Sequence, residues 1–225
     1  MVSARQAHLL FFFVLIGIFI YTGIRYTKKV LTPRRDGYTQ SAILRWSKQI
    51  QAMEDGENIH ETNNYPNPPI MAQLLWPFSE IATGNAFGKY SPAVAALLWF
   101  FLKIGMAWLC IDWAFKMVED PEHPMPVWAK FLAIGLSLRP IMGDLTHGNI
   151  NIFILFLVMA TLMAYRKGWH ITAGVVLGLA IAAKVTPALF VVYFAWKRQL
   201  LLLLSCLVGL VLFFFSDPHG VVCNS

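Results

Sequence analysis

The chain has 225 residues, of which 57% are hydrophobic and only 13% charged, with a formal net charge of +6. The apolar residues stand in long blocks, which excludes an ordinary soluble domain and points to repeated membrane spans. Basic residues collect at the ends of those blocks, in "RYTKK", "YRKG" and "WKRQ", so the positive charge reads as topology and headgroup chemistry rather than nucleic-acid binding. Cys110, Cys206 and Cys223 form no CxxC and suggest neither a disulfide framework nor a zinc site.

The first block, "HLLFFFVLIGIFIYTGI" (8–24), reads as an uncleaved anchor, since no small-residue cleavage site follows it. Behind it lies a polar stretch, 25–68. Within that stretch Thr39, Ile43, Trp46, Ile50 and Met53 recur at helical spacing, with Arg45 and Lys48 on the opposite side. This predicts an amphipathic helix in the membrane interface. "MEDGENIHETNN" breaks the period and reads as a loop. "YPNPPI" (65–70) then fixes an extended backbone ahead of "IMAQLLWPF", a run too short to span and so predicted to be re-entrant or interfacial.

Ala93 to Ile111 is a full-length span with Lys103 near its centre. The pattern continues with a Pro-rich loop (116–128), an apolar block (129–142), a polar turn "GDLTHGN" (143–149) and a further apolar block (150–165). "ITAGVVLGLAIAA" (171–183) and "ALFVVYFAW" (188–196) flank a break at "KVTP" (184–187). Each half is short for a span at 1.5 Å rise per residue, so the pair reads either as one Pro-kinked helix or as two half-helices. "QLLLLLSCLVGLVLFFF" (199–215) is the last predicted span and 216–225 a tail that forms nothing recognisable. Residues 1–215 read as one all-α integral membrane domain.

With a cytoplasmic N-terminus, Asp36, the YPNPP stretch, "GDLTHGN" and "KVTP" fall on one outward face of the membrane, and the short basic turns on the other. The first loop opposes this. Arg25, Lys28, Lys29, Arg34 and Arg35 lie outside, against the positive-inside preference, although long loops translocate largely regardless of charge.

In these motifs the chain resembles the glycosyltransferase family 87 group of integral-membrane, GT-C-type enzymes, which includes bacterial polyprenol-phosphate-mannose-dependent mannosyltransferases. The resemblance rests on an aspartate after the first span ("RRDGYTQSAILRW"), "YPNPPI", "HGNINIFILFL" and "AGVVLGLAIAAKVTPALFVVYF", in that order over about 30–198. Where the family usually has Gln after the glycine, this chain has Asn149. Family members are typically longer, with more spans, so the chain is expected to carry the N-terminal part of the fold.

The resemblance implies a GT-C-type multi-span bundle in a bacterial inner membrane, with its active face outward. It also implies transfer of a sugar such as mannose from a polyprenyl-phosphate donor to a hydroxyl on a lipid or glycan acceptor. A single inverting displacement is expected, without cofactor or metal. Membrane lipids are the expected surroundings, and nucleic acid is not a partner. Such chemistry needs a base at the acceptor hydroxyl and cations or donors at the phosphate.

Asp36 is the candidate base, or alternatively a carboxylate merely paired to Arg34 or Arg35. Those two arginines are also placed to meet an anionic donor. Lys184, beside Thr186 at the break, is the candidate for the donor phosphate, or a lysine snorkelling from a helix end. Arg139 serves the same phosphate or caps a helix. His147, Asn149 and Asn151 are candidates for acceptor hydroxyls, with a structural His147 as the alternative. A metal pair of His147 with Asp144 is a remote third reading.

Tyr65 forms a rigid wall with its prolines, or simply precedes a helix. Lys103 is functional by default as a mid-span cation, or lines a wet groove with Asp112 and Lys116. Against the enzyme stand a truncated non-catalytic remnant and a transporter or flippase component. A transporter calls for polar residues along a path between both faces and for internal repeats, whereas the candidates here cluster at one face.

Overall fold

In a computed structural model the residues described are 4–32, 41–54, 65–84, 86–120, 122 and 125–215. The candidates Arg34, Arg35 and Asp36 and the tail 216–225 lie outside them. Among the described residues the regular structure is entirely helical.

Helix α1 (Ala4–Leu31) covers the first predicted apolar block. Helix α4 (Ser91–Val118) follows a 3-10 turn, and the combined Gly88–Val118 segment is long and apolar enough to cross a membrane. It runs past the predicted end at Ile111, through Asp112 and Lys116. Those two charges neutralise each other one helical turn apart, at 2.6 Å, so the helix need not stop for them.

Helix α5 (Val127–His147) absorbs most of the polar turn predicted at 143–149. The chain reverses instead at Gly148, whose left-handed φ of +73° ends the helix; its N–H donates to the Asp144 and Leu145 carbonyls. Helix α6 (Asn151–Arg166) starts at once, so the reversal is tighter than the sequence suggested.

Pairings fix the helix directions. Lys103 meets Asp144 while Lys130 pairs with Glu119 at the far end, so α4 and α5 are antiparallel. Lys103 also reaches Asn149, and Arg166 donates to the Lys116 carbonyl, so α4 and α6 run parallel. The far end of α1 lies beside the C-terminal end of α5, with Lys29 Nζ donating to the Thr146 carbonyl at 3.0 Å.

Helices α2 (Ala42–Glu54) and α3 (Pro69–Thr83) form a cap over the N-terminal half of α4. As the periodicity predicted, Ile43, Trp46, Ile50 and Met53 are buried and Arg45 and Lys48 exposed. The apolar face is filled by protein: Trp46 meets Tyr65 edge-on, and Ser79 Oγ donates to the Ser47 carbonyl. Pro69 opens α3 where its missing N–H costs nothing. The "IMAQLLWPF" run is the body of that helix, its Met71, Ala72 and Leu75 buried and its Phe78 edge-on to Trp99.

The break at 184–187 resolves into two half-helices, α7 (His170–Ala183) and α8 (Leu189–Trp196), joined through a 3-10 turn at Thr186–Ala188. A Cβ on Gly174 would lie 2.3 Å from the Leu202 carbonyl oxygen, and one on Gly178 2.8 Å from that of Cys206. These approaches advance together along α7 and α9 (Leu200–Phe215), so the two helices are parallel. The intervening α8 must therefore run back. Phe194 confirms it, with its ring 5.1 Å from Tyr165 beside the turn where α7 begins.

Candidate functional site

The directions above bring one set of helix ends together: the end of α1, the start of α2, the middle of α4, the α5–α6 reversal and the end of α7. A polar chain threads this corner. Lys103 is completely buried, and its ammonium donates to the Asp144 carbonyl (2.8 Å), the Asp144 carboxylate (3.2 Å) and the Asn149 carbonyl (3.1 Å). Three donors meet three acceptors, which is the full capacity of the group. Asp144 Oδ1 accepts from Asn151 Nδ2 at 2.9 Å, and Asn151 Oδ1 accepts from Lys184 Nζ at 2.6 Å.

The orientation of the Asn151 amide follows from its neighbours. A carboxylate only accepts and an ammonium only donates, so the amide must turn its NH2 to Asp144 and its oxygen to Lys184. Asn151 thus links the buried pair on α4 and α5 to the hairpin apex, and Lys184, in extended backbone at the end of α7, stands at the exposed end of the chain.

The reversal itself is clamped from both sides. Trp99 Nε1 donates to the Gly148 carbonyl at 3.1 Å, and Lys29 holds the Thr146 carbonyl. A Cβ on Gly148 would lie 2.5 Å from Ser41 Oγ, which shares a 2.6 Å hydrogen bond with the Tyr26 hydroxyl. Glycine is required here twice, for its φ and for the contact. Ser41 therefore belongs to this corner, and Thr32 lines a pocket with Thr146 there, so the residues on either side of the segment that carries Asp36 both reach it.

Of the predicted residues, the structure joins Asn149, Asn151 and Lys184. Asn149 contributes its backbone carbonyl to Lys103, so the Asn-for-Gln departure does not alter that contact. His147 is exposed on the last turn of α5. Arg139, also exposed, is five residues before Asp144 on the same helix, which places it about 140° away around the axis. Thr186 is exposed at the start of the apex turn. Tyr65 is buried beneath the cap, and that burial raises its phenol above the ordinary range, with the Asn67 side chain pulling the other way.

Two partners were assigned differently by sequence. Lys103 turns away from Asp112 and Lys116, which pair with each other. Asp144 faces Lys103 and Asn151 and is buried. The signal that could have found the pair is the cost of an unpaired mid-span cation, which calls for a carboxylate at matching depth.

Fold and corner together describe, among the described residues, an all-helical bundle with a linked polar network running from a buried lysine to one end. The sequence pattern of Glycosyltransferase family 87 matches residues 65–223, and the chain belongs to that family. The polyprenol-phosphate-mannose-dependent alpha-(1-2)-phosphatidylinositol mannoside mannosyltransferase of Mycolicibacterium smegmatis is 29% identical over 136 residues, 59% of this chain and 30% of that protein. The protein of the same name from Mycobacterium tuberculosis is 29% identical over 135 residues, 59% of this chain and 31% of its own length. The chain thus matches about 30% of the length of these relatives. No solved structure matches.

Proposed function

We propose that the chain acts as a multi-pass membrane glycosyltransferase that moves mannose from a polyprenyl-phosphate carrier to a hydroxyl of a glycolipid acceptor, at the outward membrane face. The observation that carries this reading is the convergence of the family-like motifs. Tyr65, the "GDLTHGN" reversal, Asn151 and Lys184 come from separate parts of the chain and lie toward one end of the bundle, as do Thr32 and Ser41 on either side of Asp36.

In the reaction the acceptor oxygen attacks the anomeric carbon as the bond from that carbon to the phosphate oxygen breaks. Asp36 takes the hydroxyl proton, and the lipid phosphate leaves as an anion. Lys184 and Asn151 offer polar contacts at the same end for oxygen atoms of the substrates. Charge develops on the phosphate as the bond breaks, so cations fixed in advance are worth more there than in water.

The test uses membranes containing the full chain, supplied with radiolabelled polyprenyl-phosphate mannose, with label followed into the glycolipid fraction. Wild type transfers label, and Asp36→Asn lowers the rate by about 100-fold or more at equal protein level. Unchanged transfer by the variant removes Asp36 from the mechanism, and no transfer by wild type overturns the activity.

A further inference from the structure

Along α1 and α4 runs an apolar groove of about 830 Å³. On α1 its wall is the stripe Ile16, Ile20, Ile24 and Lys28, at the four-residue spacing that keeps side chains on one face. From Leu15 to Lys28 it extends about 20 Å at 1.5 Å per residue, longer than one hydrocarbon leaflet of about 15 Å. On α4 the wall is opened by Gly105, beside which a Cβ would meet nothing within 4 Å.

Lys28 also lines a second pocket, of about 520 Å³, that continues the groove past its end. This one is polar. Arg25, Lys28 and Lys29 supply three cations, and Tyr26, Thr32 and Thr146 supply hydroxyl-bearing walls. Arg25 and Lys28 are exposed at its rim, whereas Lys184 is already held by Asn151. A further groove, between α4, α5 and α6, has Asp144 on its wall and no lysine or arginine, which disfavours an anionic head.

We infer that the α1–α4 groove holds the isoprenoid chain of the sugar donor, with its phosphate on Arg25 and Lys28 and its sugar in the pocket beside Thr146. The inference rests on the proposed function and relocates the donor phosphate from Lys184 to the end of α1. An apolar channel of leaflet length that opens into a cationic, hydroxyl-lined pocket is complementary to a chain, a phosphate and a sugar in that order. It also gives Arg25 and Lys28, which oppose the topology rule, a chemical partner.

The test is photocapture of a diazirine-bearing polyprenyl phosphate by the full chain in phosphatidylcholine vesicles, with peptide mapping of the adduct. Adducts are expected on α1 and α4. Gly105→Trp, at a position where an added Cβ meets nothing within 4 Å, and the pair Arg25→Glu with Lys28→Glu should each lower capture by about tenfold. Lys116→Ala, in the exposed pair outside the groove, should leave it within a factor of two or so.

Capture unchanged by both groove variants but abolished by Lys184→Ala overturns the inference and leaves the proposed function standing. Capture that falls as expected in a chain that transfers no sugar leaves the site standing and overturns the function. Equal competition by phosphatidylglycerol makes the occupant a bulk anionic lipid, and a changed oligomeric state in Gly105→Trp makes the groove a protein interface; either result sinks the donor assignment.

Discussion

Helix α4 carries two lysine–aspartate pairs. Lys116 and Asp112 are largely exposed, sit one turn apart on the same helix and meet at 2.6 Å. Lys103 and Asp144 are almost wholly buried, come from different helices and meet at 3.2 Å. The shorter bridge is the less consequential. Water solvates the Lys116 pair with or without its partner, so forming it gains little. The Lys103 ammonium has only the acceptors the fold supplies, and two of these are backbone carbonyls that exist only if α5 ends and α6 begins where they do. Distance measures contact, whereas burial decides what losing the contact costs.

That contrast can be broken by mutation. Lys103→Met leaves a buried carboxylate uncompensated and should destabilise the protein by about 3–5 kcal/mol. In a chain of this size this lowers the melting temperature in detergent by roughly 10 °C, and a loss below a few degrees would show that water reaches Asp144. The double variant Lys103→Met with Asp144→Leu removes both charges and should recover about half the loss or more, measured in the same melts. Failure to recover would assign the cost to Asn151 and the backbone carbonyls rather than to the charge. At the small end, Lys116→Ala should change stability by less than about 0.5 kcal/mol, and a larger effect would mean that the exposed pair is part of a wider network.

Much of this fold was legible because the relevant forces are local. The spacing of Ile43, Trp46, Ile50 and Met53 gave the cap helix its buried face, and Lys184-Val185-Thr186-Pro187 marked a real break. Helix ends were harder. The turn predicted from Gly143 to Asn149 is mostly helix, because polar residues there satisfy one another across helices rather than seeking solvent. The direction of α8 was open for a similar reason: it depends on Gly174 and Gly178 admitting α9 backbone, a contact with no local signature.

The site was legible as a list and not as a circuit. Asn149, Asn151 and Lys184 were singled out by type and position, but the connection through Asp144 to Lys103 joins residues 41 positions apart. Arg139 shows the opposite failure. It lies close to the motif in sequence and points elsewhere, because five residues along a helix is not a return to the same face.

The bond from Lys29 to the Thr146 carbonyl, 117 positions apart in the chain, has a consequence for biogenesis. Synthesis proceeds from the N-terminus, so α1 emerges long before the strand of chain that clamps its end. The corner cannot close until the α5–α6 reversal has been made and delivered beside it, and until then the basic end of α1 must wait in the company of the membrane's own phosphates.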